Sequence, residues 1–306
     1  MTAYVLRRVA IFLPMLWVAV TLIFVVFRLI PGDPAALIAG PSAPQVVIDN
    51  IRHQLGFDRP IYVQYLRYLW GLVHGDLGTS TVYGSHVREQ LLPRFPVTLQ
   101  LAIGAVLLAL VVGIGAGIIA AIKQYSWVDH LSMLLAVGGV AIPSFWLGLL
   151  LIALFSVRLH WVPISSAAGP RSAVLPIIAL AMYPMAVIAR LTRSGMLEVL
   201  RHDYVRTARA KGLSEHWVIY RHALRNALIP VVTAAGLQFG YLLGGSIVIE
   251  SVFARPGIGL LMMDSIRSRD YTMVQAVSLL FGLTFLVVNL VVDLAYAFLD
   301  PQVRYG

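Results

Sequence analysis

No cysteine occurs in the sequence, so disulfides, thiolate metal sites and cysteine nucleophiles are excluded together. Lysine is nearly as scarce. Only Lys123 and Lys211 are present, and neither closes a GxxxxGK[ST] loop that could cradle nucleotide phosphates, so the chain is not its own P-loop ATPase. Charge is sparse too, at 12% of residues against about 25% in a soluble domain. The eight histidines (His53, His74, His86, His130, His160, His202, His216 and His222) lie outside the long apolar runs or at their ends, and no HExxH pair occurs. An intramembrane Ser/His protease and a buried zinc peptidase are thereby removed. His216 and His222, six apart around Arg221, suit solvated histidines better than zinc ligands. The string Gly113-Ile-Gly115-Ala-Gly117 lies inside an apolar run and misses the GxGxxG spacing of a dinucleotide loop. No catalytic residue, metal or cofactor is expected in this chain.

What is present is apolar: 59% of the 306 residues are hydrophobic. They fall into six runs, at residues 9–30, 97–122, 131–157, 173–189, 229–249 and 275–299, each near the ~20 residues a helix needs to cross a bilayer. This predicts an all-α membrane protein with six transmembrane helices. The first run follows Arg7 and Arg8, but it exceeds the ~7–15 residue core of a signal peptide and ends in no small-x-small site. It reads as a retained span.

An even number of spans places both termini on one side, and charge selects the side. Segment 190–228 carries Arg190, Arg193, Arg201, Arg206, Arg209, Lys211, Arg221 and Arg225 against three acids, which the positive-inside rule makes cytoplasmic. The N-terminus, the turn at Lys123 and the tail at Arg304 share that side. The formal charge of +9 thus flanks spans, and no basic stripe interleaved with aromatics points to nucleic acid.

Segment 31–96 falls outside with five arginines and five acids. It is far longer than the ~12–15 residues of an ordinary loop, so a small helical cap is expected. Residues 44–55 read as an amphipathic helix through Val47, Ile51 and Leu55, stopped by Gly56. Pro60 opens a second helix carrying Ile61, Tyr65, Tyr68 and Leu72 up to Gly75. The resulting division is a first span at 1–30, a cap at 31–96, a five-helix core at 97–299 and a cytoplasmic tail at 300–306.

Gly236, Gly240 and Gly244 recur every four residues, as do Gly113 and Gly117, which allows close helix approach. The choice between packing within the chain and a subunit interface is open, with internal packing favoured. Pro143 and Pro184 interrupt the third and fourth runs, where broken helices line cavities or simply kink. Glu250 and Asp293 are the ionisable residues at or inside spans; Glu250, closing its span on the outer side, is readable as a substrate contact or an interface-exposed carboxylate, and Asp293 as a substrate contact or a hydrogen bond within the bundle, Asn289 being one turn away. Polar groups are costly in hydrocarbon, so Pro143, Ser144, Gln238, Glu250, Asn289 and Asp293 are the expected lining of a translocation path.

The stretch Tyr204-Val-Arg-Thr-Ala-Arg-Ala-Lys-Gly212, followed by His222-Ala-Leu-Arg-Asn-Ala227, resembles the cytoplasmic coupling loop of ABC importer permeases in its peptide/opine/nickel branch. Matching residue by residue puts the first three positions of that motif on Arg206, Thr207 and Ala208 and its glycine on Gly212. Arg206 stands where the general pattern has glutamate and Arg225 where it has proline, departures usual in this branch. Pro31-Gly-Asp-Pro34, Leu55-Gly-Phe-Asp-Arg-Pro60, Gly75-Asp-Leu-Gly-Thr-Ser80, Phe253-Ala-Arg-Pro-Gly-Ile-Gly259, Arg269-Asp-Tyr271, Asn289-Leu-Val-Val-Asp293 and Asp300-Pro-Gln-Val-Arg304 resemble the same branch, in particular the first permease of a dipeptide or oligopeptide importer. The resemblance implies a heterodimer with a second homologous permease, two cytoplasmic ABC ATPases that carry ATP and Mg, an external solute-binding protein, a peptide substrate and residence in a bacterial inner membrane. It also implies that Arg206, Thr207, Ala208, Arg209, Ala210, Lys211 and Gly212 couple the ATPase to the spans. Nickel chelates, haem or opines are alternative cargoes. An ion-gradient transporter or channel is the alternative class, for which a charged relay at the centre of a span would be expected.

Overall fold

The computed structural model describes residues 2–29, 33–40, 42–163 and 169–299. The 300–306 tail and the start of the Pro31-Gly-Asp-Pro34 motif lie outside the described residues. Within them the chain is helical, as expected where a lipid environment forces backbone groups to bond within their own segment. Five helices are long and apolar enough to cross a membrane, and six if one bent pair is counted as a span.

α1 (Thr2–Leu29) is the first of these. Three short helices follow: α2 (Pro34–Ala39), α3 (Gln45–Leu55) and α4 (Ile61–Val73). The last two match the helices expected at 44–55 and 61–75, with Gly56 in the left-handed conformation at φ 71° as the stop. α5 (Val87–Ile122) is 36 residues long, about 54 Å. It runs without interruption through Pro93 and Pro96, so the cap–core boundary expected at 96/97 falls inside one helix. Its first turns hold their course because Val87 and Leu91 are buried against Ile258, Leu261, Met273 and Val277.

The third run is sharply bent. α6 (Trp127–Ala141) and α7 (Ser144–Leu151), which continues as a π-helical stretch Ile152–Arg158, meet at 104°. Pro143 causes the break: a residue before proline is driven from helical to extended backbone, and Ile142 sits at φ −84°, ψ 121°. α8 (Val174–Val199) extends the fourth run ten residues into segment 190–228. After α9 (Asp203–Ala210), α10 (Glu215–Trp217) passes through a π-helical stretch, Val218–Ala223, into α11 (Leu224–Val252). α12 (Ile258–Arg267) and α13 (Tyr271–Leu299) complete the fold.

The core joins α5, α8 and α11 through Leu101, Ala105, Ala109, Leu180, Ile188, Val231 and Leu242. A Cβ on Gly113 would stand 2.8 Å from the Met185 carbonyl of α8, and one on Gly117 2.7 Å from the Ala189 carbonyl. Gly236 meets Val292 of α13, and Gly240 meets the Phe285 ring. Four of the five periodic glycines therefore serve packing within the chain, as favoured from the sequence, while Gly244 faces open space. α1 packs on α13, where Arg8 and Asp293 pair at 2.9 Å.

In the cap, the Asp33 carboxylate caps α2 by accepting from Ala35 N at 3.0 Å and pairs with Arg52 of α3 at 2.5 Å. The Arg52 hydrogen bond holds the Asp33 carboxyl below its ordinary range, while Asp33 raises Arg52. A depressed carboxylate pKa stabilises the fold above its unfolded value and ceases to do so as pH falls through the folded value. Amide exchange in residues 33–55, corrected for intrinsic rates, is therefore expected to stay level from neutral pH down to the ordinary carboxylate range and to accelerate below it. The change should be small, because both side chains are about one-third exposed (33% and 35%). Acceleration that begins near neutral pH would assign the effect to another group.

Candidate functional site

The two ends of α8 lie about 39 Å apart for its 26 residues, and each end carries a distinct construction. At the end formed by Val199, the short helix α9 lies on a small core of its own. Val205 and Ala208 point inward to Ile118, Ala121, Met196, Val218, Ile219 and Ala223. Arg206, Thr207, Arg209, Ala210, Lys211 and Gly212 are exposed. Six of the seven residues expected to couple thus share a surface. Ala208 does not, and its small size serves packing beneath the helix.

The surface is pinned rather than loose. Gly212 turns the chain at φ 78°, a conformation that disfavours any Cβ, and across this turn Arg209 reaches Glu215 through contacts of 2.8 and 3.3 Å. Asn226 Nδ2 donates to the Tyr204 hydroxyl at 2.7 Å, tying α9 to α11. Arg206 lies 3.7 Å from Asp203, and the Thr207 hydroxyl donates to the Asp203 carbonyl at 2.9 Å. Leu213, Trp217 and Tyr220, outside the expected coupling set, also stand exposed in the segment that follows α9. Their i, i+4, i+7 spacing after Gly212 was the available signal. Below α9, Asp129 accepts two hydrogen bonds from Arg193, at 2.6 and 2.7 Å, fastening the start of α6 to α8.

At the opposite end the Phe253–Gly259 motif closes over Glu250. The carboxylate is fully buried. Thr98 Oγ1 of α5 donates to Oε1 at 2.6 Å and Leu260 N donates to Oε2 at 3.0 Å, while Ile258 N donates to Thr98 Oγ1 at 2.9 Å. A Cβ on Gly257 would overlap the carboxylate, and one on Gly259 would reach the Ile247 backbone. Arg255 turns beneath the loop, donating to Ser172 Oγ at 3.0 Å beside the start of α8. Two further stretches singled out in the sequence meet here, since the Ser80 hydroxyl bonds the buried Asp270 carboxylate, which also accepts from Met273 N at 3.1 Å.

The expected path residues do not act as one set. Glu250, expected to line the path, has its carboxylate enclosed by the loop and Thr98 in this structure. Asp293 pairs with Arg8 across α1 and α13, and the Asn289 amide donates to the Phe285 carbonyl at 3.0 Å. Asn289 lies on the stripe of α13 that faces α11, four residues from Phe285 and three from Val292. Gln238 sits two residues from both Gly236 and Gly240 and so points away from α13. Pro143 and Ser144 stand at the α6–α7 break. Among the described residues, no group of three or more His, Asp or Glu side chains is placed to hold a metal ion.

Residues 1–102 match the family described as the N-terminal part of binding-protein-dependent transport system membrane components, and residues 113–305 match the family of binding-protein-dependent transport system inner membrane components. The chain is 49% identical over 305 residues, covering all of both sequences, to the glutathione transport system permease protein GsiC of Escherichia coli O6:H1. It is 48% identical over the same span to the proteins of that name from Escherichia coli K12 and Shigella dysenteriae serotype 1. In fold it is similar to a chain of the MetNI methionine ABC transporter in an inward-facing conformation, with TM-score 0.54 at 18% identity, covering 66% of this chain and 93% of that one. An amino acid ABC transporter gives TM-score 0.52 at 17% identity, covering 68% and 94%. The chain belongs to the binding-protein-dependent transport system inner membrane component family and is a multi-pass permease subunit of an ABC importer, a transport component and not an enzyme.

Proposed function

We propose that this permease forms half of a translocation path for short peptides, with glutathione as the first cargo to test, and that α9 receives the closing motion of a partner ATPase. Full-length identity of 49% to a glutathione permease carries the cargo reading. The exposed, internally braced surface of α9 supports the docking reading, since a short helix held on its own small core can transmit a push without unfolding. A second homologous permease completes the path, two ATPases hold ATP and Mg, and an external binding protein delivers cargo. Pro143, Ser144, Gln238 and Asn289 remain the residues proposed to face the path.

Uptake decides the cargo. Cells lacking the native system and carrying this permease with its partners are expected to accumulate labelled glutathione or a labelled dipeptide in an ATP-dependent manner. Accumulation of nickel chelate, haem or opine alone would reject the peptide reading, and accumulation that follows an ion gradient without ATP would reject the importer mechanism for this cargo.

Both termini and α9 are proposed to lie in the cytoplasm, with residues 31–96 outside. The absence of cysteine makes the labelling clean. Ser80 is buried against Asp270, so Val82, 50% exposed, is the better reporter. Val82→Cys is expected to react with an impermeant maleimide in intact cells and Ser214→Cys only after lysis, and the reverse pattern would invert the topology.

A further inference from the structure

A cavity of about 250 Å³ lies between α4, the end of α1 and the start of α13. It sits where two spanning helices end, with Arg28 in the last turn of α1 and Thr272 and Gln275 in the first turns of α13. Its charged lining comprises Arg28, Arg59, Arg67 and Asp76, an excess of two positive charges. Arg28 is committed, donating to Gln64 Oε1 at 2.9 Å and lying over the Phe24 and Phe57 rings. Asp76 accepts from Gly78 N at 2.9 Å. Arg59 and Arg67 join no ion pair among the described residues. Two further polar tips, Tyr68 Oη and Gln275 Nε2, are buried among the lining residues and face each other, with no other hydrogen-bond partner among the described residues. With Gln275 directed at the Tyr68 oxygen, the Tyr68 O–H proton has no acceptor, and a buried donor left unbonded is costly, so this cavity offers a donor to an incoming anion.

The opposite face of α4 identifies the surroundings. Tyr62, Leu66, Trp70 and Val73 follow i, i+4, i+8, i+11 spacing and are between 61% and 81% exposed, and α4 buries no residue in the chain. The apolar side chains Leu22, Val25, Val26 and Leu29 of α1 are exposed as well. The Tyr65 hydroxyl meets Thr21 Oγ1 at 2.6 Å, eight residues before the end of α1 and so about 12 Å down its axis. α4 therefore lies against a spanning helix at interfacial depth, with Tyr and Trp where such residues collect at membrane surfaces. One face meets acyl chains while the other walls a basic cavity.

We propose that this cavity binds the phosphate of a phospholipid headgroup, held by Arg59 and Arg67 with Tyr68 and Gln275 completing its hydrogen bonds. Guanidinium groups match phosphate oxygens in geometry and charge. The inference requires only that the chain spans a bilayer, and is independent of its cargo.

The test is native mass spectrometry of the full-length chain, purified in mild detergent with its accompanying subunits and titrated with dioleoylphosphatidylglycerol. The parent protein is expected to retain one lipid about tenfold or more tightly than the Arg59→Gln/Arg67→Gln variant, the loss of charge-assisted hydrogen bonds. Arg267→Gln, exposed and outside the cavity lining, should retain it fully. Tyr68→Phe, which keeps the ring packed against Phe24, should weaken retention without altering elution and so guards against misfolding of the double variant. Equal retention by all variants would overturn the proposal. Displacement of the lipid by millimolar inorganic phosphate, with diolein binding as well as the phospholipid, would identify a free-phosphate site and overturn the lipid assignment. Unchanged lipid retention with weakened association of the external binding protein would reassign the arginines to protein docking and overturn it equally.

Discussion

Ala210→Trp is expected to abolish ATP-driven uptake while the permease inserts and elutes as before. Ala210 is exposed at the end of α9, on the surface proposed to dock the ATPase, and its substitution changes bulk without changing charge. If the surface only fixes orientation by its basic residues, a tryptophan there costs nothing. If it docks into a partner's groove, the ring holds the surfaces apart and forfeits contacts that at an interface centre are worth about 2 kcal/mol or more, at least ~30-fold in affinity. Co-purification of the ATPase and cargo-stimulated hydrolysis should fall together. Gly212 is a poorer probe, because its φ of 78° makes any replacement strained before docking is considered. Unaltered hydrolysis and uptake in Ala210→Trp at full expression would reject the coupling role of α9.

Glu250→Ala is expected to be the most damaging single truncation in the fold. It strips Thr98 Oγ1 and Leu260 N of their acceptor inside a fully buried site. Each buried group left unsatisfied costs about 1–3 kcal/mol, so a loss of about 3 kcal/mol or more is expected. Glu250→Gln keeps an acceptor for Thr98 but turns an amide donor toward Leu260 N or leaves it unpaired, and should fall between parent and alanine. Gly257→Ala tests the same tie from the other side, since its Cβ would overlap the carboxylate. The measurement is the fraction of detergent-solubilised permease eluting as a single species after graded heating. Parent-like heat resistance in Glu250→Ala would show that the Phe253–Gly259 loop holds without its carboxylate.

The periodic signals were legible where one residue type has one physical use. Gly56 ends α3 because only glycine takes a left-handed cap without cost, and Pro60 opens α4 because its missing N–H costs nothing at a helix start. Gly113, Gly117, Gly236 and Gly240 marked close helix approach. Less legible were residues whose use depends on a partner distant in sequence. The partners of Glu250 and Asp293 are such a case, since Thr98 stands 152 positions from Glu250 and Arg8 lies at the far end of the chain from Asp293. Ala208 resembled its exposed neighbours Thr207 and Ala210 until the orientation of α9 on its core was known.

From the sequence alone came the membrane class, the number of apolar runs, the two cap helices and the likeness to importer permeases, because hydropathy, turn residues and motif spacing are properties of nearby residues. Tertiary structure alone decided that Pro143 turns the third run through 104° instead of kinking it, that α5 runs unbroken past Pro93 and Pro96, and that the Ser80 and Arg269–Tyr271 motifs meet at Asp270. Each of these depends on what packs against a segment: a proline is tolerated where neighbouring side chains hold the helix and becomes a hinge where they do not, and a buried carboxylate is structural only when its donors arrive from elsewhere in the chain.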